Sequence, residues 1–300
     1  MAPCVIVPGR YDGVHLGHRA RIRKACTYAR ARGLMTLALV MATDPFRQTR
    51  LSLTSLPRRI ELLRNVATGL VAPELFTTEL AEFHAEAFVD HLVDLQARVL
   101  VIAPEFSVGA VRDLQAGDIL RRIRERGIDV LNEAPVWLNG EAVSSSAVRR
   151  ALKCGDVARA ASLLGRLHEA EGAVVQGDRR GRALGFPTAN LDPQPVLQPL
   201  DGVYAVFVRE LGSSGWGPPM PGIASLGPRP TFSAGRAFEV HLFDFNRDIY
   251  GRQLRVGFVH RLRGQQRFAC VSELRAHIAR DCENARNVLA AASAELTRCL

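Results

Sequence analysis

Lysine is nearly absent. Only Lys24 and Lys153 stand among the 39 basic residues, so the formal charge of +9 over 300 residues rests on arginine. The planar guanidinium fork suits phosphate ligands, although genomic composition gives the same bias. The excess is also spread out, with 22 basic against 17 acidic residues up to Gly165 and 17 against 13 beyond it. No basic tail or patch of the kind that binds nucleic acid is present. Closely spaced cysteines are missing: Cys4, Cys26, Cys154, Cys270, Cys282 and Cys299 form no CxxC pair and no metal-ligand spacing. The N-terminus lacks the apolar run of a signal peptide, so the expected setting is cytoplasmic with free thiols. Long apolar runs are lacking too. The longest, residues 34–42, has only the length of a strand, far short of the ~18 residues a membrane helix needs. Hydrophobic residues make up 47% of the chain, which is enough to bury real cores and excludes disorder as the main state.

Along the chain, a β-branched run at residues 5–7 is broken by Pro8-Gly9 and followed by helical spacing at 16–32. Further helices are expected at 57–66, 85–95 and 117–126, interleaved with strands at 34–41, 99–103 and 128–131. Strands alternating with helices predict an α/β unit, a parallel sheet covered on both faces. Two short helices at 146–153 and 157–164 close this half, the second opening after Gly155-Asp156, a turn and N-cap. From Glu169 the texture changes. Runs at 172–176, 203–209, 238–243 and 254–262 follow one another without helices, which predicts an antiparallel barrel or sandwich. An Ala-rich amphipathic helix at 272–296 follows them. The boundary is placed near Arg166, giving domains 1–165 and 166–300.

The chemistry-bearing residues fall in four places. The first is Gly9-Arg10-Tyr11-Asp12-Gly13-Val14-His15-Leu16-Gly17-His18, where HxGH sits as a loop enters a helix. A phosphate there meets helix N-terminal amides and two imidazoles, with Gly9, Asp12 and Gly17 around it. One reading is nucleotidyl transfer, with His15 and His18 stabilising charge on the transferring phosphate oxygens; the other is a tight turn with two surface histidines. The second is Ser144-Ser145-Ser146-Ala147-Val148-Arg149, where Ser145 and Arg149 suit a phosphate but also read as an ordinary capped basic helix. In the third, a glycine- and arginine-rich loop with Gly177, Gly181 and Arg182 joins Pro187-Thr188-Ala189-Asn190. A Thr188 hydroxyl and Asn190 carbonyl two residues apart on a strand face one side and suit Mg²⁺, the alternative being a polar turn. The fourth is Glu239, in the apolar run Phe238-Glu239-Val240-His241-Leu242. It is a candidate general base for a hydroxyl nucleophile, or else a surface carboxylate.

Taken together, these strings resemble the bifunctional bacterial riboflavin kinase/FAD synthetase family over nearly the whole chain. The resemblance is strongest in GDRRGRALGFPTANL, DGVYAVFV, GIASLGPRPTF, FEVHLFDF and Asp248-Ile249-Tyr250-Gly251. It implies a Rossmann-like nucleotidyltransferase domain that adenylylates FMN, then a six-stranded flavokinase barrel that phosphorylates riboflavin with ATP and Mg²⁺. Thr188 and Asn190 would hold the metal-nucleotide and Glu239 would deprotonate the ribityl hydroxyl. The 177–182 loop would cover the phosphates, and Arg286 would approach the flavin. The partners implied are small molecules, flavin and ATP, with no nucleic acid or membrane.

The first half departs from the family pattern. GNFDGVHLGH is here GRYDGVHLGH, the aromatic-acid-proline motif is Thr43-Asp44-Pro45-Phe46, and Glu105 stands where a shorter residue contacts nucleotide. Adenylyl transfer is therefore expected to be the weaker activity. The alternatives are a flavin-binding regulatory protein with a decayed adenylyltransferase site, or an enzyme acting on a flavin analogue.

Overall fold

The structure, a computed structural model, describes residues 2–41, 51–66, 70–74, 85–103, 116–177, 181, 184–228 and 236–292. It divides into two compact units, Met1–Ser145 and Ser146–Leu300.

In the first unit β1 (Cys4–Gly9) leads through a loop into α1 (Leu16–Arg30), followed by β2 (Met35–Met41), α2 (Leu56–Arg64), β3 (Leu70–Glu74), α3 (Ala85–Asp94), β4 (Ala97–Ile102), α4 (Ala116–Glu125) and β5 (Asp129–Asn132). All the sheet pairings are parallel, in the order β3-β2-β1-β4-β5. The apolar run of β1 has no polar alternation because both its faces are buried. Cys4 and Ile6 pack with Phe88, Leu92 and Ile123, whereas Val5 and Val7 pack with Ile22, Ala25 and Leu63. Because β2 and β4 flank β1 on opposite sides, the strand order reverses there. The β1–α1 loop thus leaves the carboxyl edge at the switch point, where open α/β sheets bind ligands. A small hairpin, β6 (Trp137–Leu138) and β7 (Glu141–Ala142), turns on Asn139-Gly140, both at positive φ as a tight hairpin turn requires.

The second unit holds α5 (Ser145–Lys153, whose first residue belongs to the first unit), α6 (Val157–Leu164), β8 (His168–Val175), β9 (Ala189–Pro193), β10 (Gly202–Gly212), β11 (Gly215–Trp216), β12 (Met220–Pro228), β13 (Arg236–Leu242), β14 (Gln253–Arg263) and α7 (Val271–Ala291). Six of these strands close an antiparallel barrel in the order β10-β12-β13-β9-β8-β14, with β14 returning to β10. Tyr204, Phe238 and Phe258 pack ring to ring in its interior at 5.4 to 6.0 Å. On the outside, Ala205, Phe207, Ile223 and Val259 are covered by Ala285 and Leu289 of α7 and by Ala161 of α6. A bidentate pair, Arg263 Nη2 and Nε on the Asp281 carboxylate at 2.8 to 3.1 Å, ties α7 to β14. This is the expected architecture of an α/β unit followed by an antiparallel barrel and a terminal helix.

The compact units divide at Ser145, upstream of the Arg166 boundary that the residue texture suggests. Helical spacing shows that α6 has an apolar face but not what covers it. Val157, Ala160, Leu163 and Leu164 are buried, and α6 packs on β14 and β8. Gly155, at φ 77°, lets the turn before α6 approach Arg261, whose Cδ would lie 2.6 Å from any β-carbon there. The cysteines in the described residues, Cys4, Cys26, Cys154, Cys270 and Cys282, are all free thiols.

Candidate active sites at the β1 turn and on the barrel wall

Two left-handed residues, Tyr11 at φ 51° and Val14 at φ 42°, turn the chain sharply after β1. Side-chain anchors hold this backbone. The Tyr11 hydroxyl donates to the Val7 carbonyl, and Asp12 Oδ1 accepts from Leu53 N at 2.7 Å. Gly13 N donates to Thr54 Oγ1 at 3.2 Å, and Ser145 Oγ donates to the Asp12 carbonyl at 2.7 Å. Arg59, buried in α2, donates to the carbonyls of Arg10 at 2.8 Å and Thr54 at 3.3 Å and lies 3.5 Å from Asp12 Oδ1. His15 caps α1, its Nδ1 accepting from His18 N at 3.4 Å. The two imidazoles stack at 3.6 Å with an edge of Tyr11 against His18. A β-carbon on Gly17 would lie 3.2 Å from the His15 ring, so a side chain there would crowd the stack. Burial, then the neighbouring His15 and arginines 21, 59 and 10, holds the His18 pKa well below the usual histidine range. At neutral pH His18 is therefore an uncharged ring, able to hydrogen-bond an oxygen without adding a full charge. The turn brings Gly9, Asp12, His15, Gly17, His18 and Ser145 together. Arg149 is buried in the part of α5 that belongs to the second unit.

On the barrel, the register sets Glu239 opposite Asn190 on one side and Ser225 on the other, so the three share a face. Phe238, Val240 and Leu242 are buried on the opposite face, leaving Glu239 half-buried on the outer wall. Gly177 and Gly181 close over Asn190, the second residue of β9, and Thr188, the residue just before that strand. A β-carbon on Gly177 would lie 2.8 Å from Asn190 Oδ1, and one on Gly181 would lie 2.9 Å from Thr188 Oγ1. Thr188, Asn190 and Glu239 are thus gathered at one place, under glycines that leave no room for side chains. Thr188 and Asn190 offer neutral oxygens, and no cluster of three or more His, Cys, Asp or Glu suited to a metal occurs among the described residues. This donor set fits Mg²⁺, which keeps waters and takes much of its coordination from nucleotide phosphates. Arg286 is held by a bidentate bond to Asp244 at 2.9 and 3.0 Å and lies 4.3 Å above the Phe243 ring. Its hydrogen bonds to Asp244 hold that carboxyl below the usual range.

Arg182, Glu105 and the 43–46 motif lie outside the described residues. Sequence reasoning passed over Arg59 and His241, because an arginine on a helix reads as solvated and only the fold brings Arg59 under the β1 turn. The spacing of His241 two residues after Glu239 was a usable signal, since it shares that face.

Residues 1–147 match the family model described as FAD synthetase, and residues 164–289 match the one described as riboflavin kinase. The bifunctional riboflavin kinase/FMN adenylyltransferase of Escherichia coli K12 is 36% identical over 294 residues, covering 94% of this chain and 92% of that protein. The enzyme of the same description from Haemophilus influenzae is 32% identical, covering 94% and 93%, and that from Bacillus subtilis 29%, covering 95% and 92%. A solved Streptococcus pneumoniae structure, described as a macrolide-efflux protein, superposes with a TM-score of 0.83 at 29% identity over 95% of this chain and 94% of that one. No helix among the described residues here is long and apolar enough to cross a membrane. With both halves matched in order and relatives covered almost end to end, the chain belongs to the family of bifunctional riboflavin kinase/FMN adenylyltransferases.

Proposed function

We propose that the barrel half, assigned to 166–300, transfers the γ-phosphoryl group of ATP to riboflavin, and that the half assigned to 1–165 adenylylates the FMN so formed. The observation that carries the kinase reading is the gathering of Thr188, Asn190 and Glu239 under Gly177 and Gly181. Mg²⁺ would be held by Thr188 Oγ1, Asn190 Oδ1 and the nucleotide phosphates, and its charge would neutralise the phosphoryl oxygens as the β–γ bond breaks. Glu239 accepts the proton of the ribityl hydroxyl as that oxygen bonds to the γ-phosphorus and ADP leaves. Gly177, Gly181 and Arg182 are assigned to the phosphates, glycine being the residue that lets backbone amides approach an anion. Arg286, on α7 and bonded to Asp244 just beyond the end of β13, is assigned to the flavin side.

In the first half, an FMN phosphate oxygen attacks the α-phosphorus of ATP and pyrophosphate departs. The α1 amides beside Gly17 and the His15 and His18 rings stabilise the charge that develops on the transferring group. Gly9, Asp12 and Ser145 are assigned to the nucleotide. Asp12 and Ser145 act by fixing the turn, since both bond to backbone groups of this unit. The FAD synthetase match over residues 1–147 supports full bifunctionality, and no comparison supports the regulatory-protein alternative.

The test is incubation of the protein with riboflavin, ATP and Mg²⁺, resolving riboflavin, FMN and FAD by chromatography. FMN and then FAD are expected. Glu239→Gln should lower FMN formation by ~10²-fold or more while riboflavin binding is retained. Unchanged turnover in Glu239→Gln would make the carboxylate a surface residue and remove the assigned base.

A further inference from the structure

β13 carries two polar side chains on the barrel's outer wall, Glu239 and His241, and the transfer described above uses only the first. The ladder between β13 and β9 runs from Glu239↔Asn190 to Val240↔Ala189 and ends there. One more step would set His241 against Thr188, but Pro187 beyond it has no N–H with which to continue. A side chain takes over at that point: His241 Nδ1 donates to the Pro187 carbonyl oxygen at 2.7 Å. The imidazole meets Phe186 and Phe243 at 5.8 Å each, with interplanar angles of 86° and 71°, so packing fixes its direction.

That carbonyl shares a peptide plane with the Thr188 N–H. In a planar trans peptide the two point opposite ways, so holding the oxygen also sets the amide and the base of the Thr188 side chain. The preceding residue is pinned separately, because Phe186 N donates to the Gly181 carbonyl at 2.8 Å. Between that bond and the first rung of β9, the bond from His241 is what holds the Pro187–Thr188 peptide among the described residues.

We propose that His241 is a positioning residue of the kinase site. Through the Pro187 carbonyl it presents Thr188 to the metal-nucleotide, and it locks that ligand to the strand bearing Glu239. The proposal rests on the reading of Thr188 as a ligand of Mg·ATP and adds the residue that aims it.

Three variants separate donor position from bulk. His241→Asn keeps an N–H donor near the place of Nδ1, His241→Gln carries its donor further out, and His241→Leu has none. FMN formation is measured at saturating riboflavin over a range of Mg·ATP, with Mg·ADP affinity by calorimetry and the thermal midpoint alongside. His241→Leu and His241→Gln are expected to raise KM for Mg·ATP and weaken Mg·ADP by about three- to tenfold, the worth of one net hydrogen bond. His241→Asn is expected to stay within about twofold of the unaltered protein, with riboflavin affinity equal throughout. Equal nucleotide affinities in all three variants, or His241→Asn as impaired as His241→Leu, would overturn the proposal. If His241→Leu fails to fold, the Asn and Gln pair decides it. An unaltered protein that makes no FMN would overturn the kinase reading, and the order of Mg·ADP affinities would then judge the positioning role by itself.

Discussion

Gly177→Ala adds one methyl group at the point where the loop crosses Asn190. The added carbon would lie 2.8 Å from Asn190 Oδ1, and closer still to Nδ2 and Cγ. Ordinary contact needs about 3.5 Å, so the amide must retreat by roughly 0.7 Å or more. Asn190 is buried and paired across the ladder with Glu239, so its backbone cannot follow and the side chain must leave its rotamer, at about 0.5–1.5 kcal/mol. The loss of function should exceed the loss of stability. A ligand misplaced by a large fraction of an ångström costs on the order of 10- to 100-fold in rate, and here the displaced atom is the oxygen assigned to Mg²⁺. The assay is FMN formation as a function of Mg²⁺ and ATP, beside thermal unfolding of the same preparations. Gly251→Ala serves as the control, since Gly251 has positive φ but nothing within 4 Å of an added carbon. It should lose about 1 kcal/mol of stability and keep its activity. A Gly177→Ala protein with unaltered dependence on Mg²⁺ and ATP would refute the placement of the metal-nucleotide at Asn190.

His168 is buried, donates from Nε2 to the Leu197 carbonyl at 2.8 Å, and has its pKa pushed down by burial from 6.5 to about 4. Between those values the unfolded chain takes a proton that the folded chain refuses. Stability should be full above pH 6.5 and fall by about 1.4 kcal/mol per pH unit below it, approaching 3 kcal/mol near pH 4. Denaturant unfolding of the protein and of His168→Asn checks this, and an identical pH slope in the two would exclude His168 as the source. Arg59→Met, which keeps the bulk but leaves the Arg10 and Thr54 carbonyls without that donor, should cost about 2–4 kcal/mol and depress FAD formation more than FMN formation. Equal loss of both activities would count against a role confined to the β1 turn. A fragment beginning at Ser146 should fold and phosphorylate riboflavin. One beginning at Arg166 should melt lower, because it lacks Val157, Ala160, Leu163 and Leu164; coincident melting curves would show that α6 adds nothing to the barrel.

Periodicity made most of the elements legible. Helices expected at 57–66 and 85–95 run Leu56–Arg64 and Ala85–Asp94, and the strand expected at 34–41 runs Met35–Met41. β3 escaped because its five residues contain Pro73, which argues against a strand unless, as here, it lies at a sheet edge. The ownership of α6 escaped for a different reason: an apolar stripe records that something covers it and is silent about what. Motif spacing likewise drew attention to Thr188, Asn190 and Glu239 because they interrupt recognisable strings. Arg59 and His241 act through backbone carbonyls that are distant in sequence, and a carbonyl acceptor leaves no mark on residue identity.

β14 is the last strand of the barrel and pairs on both edges, with β8 and with β10. Its partners in β8 lie about 80 to 90 residues earlier in the chain, so on the ribosome no barrel can close until residue 263 has emerged. Until then β8 and β10 each present a bare hydrogen-bonding edge, the condition under which nascent strands pair with the wrong neighbour. The parallel sheet faces a shorter wait, since its final strand ends at Asn132. Synthesis therefore orders the two halves in time: the parallel sheet and its β1 turn are complete while the barrel wall is still an open ribbon. Expression at reduced translation speed should help the second half more than the first.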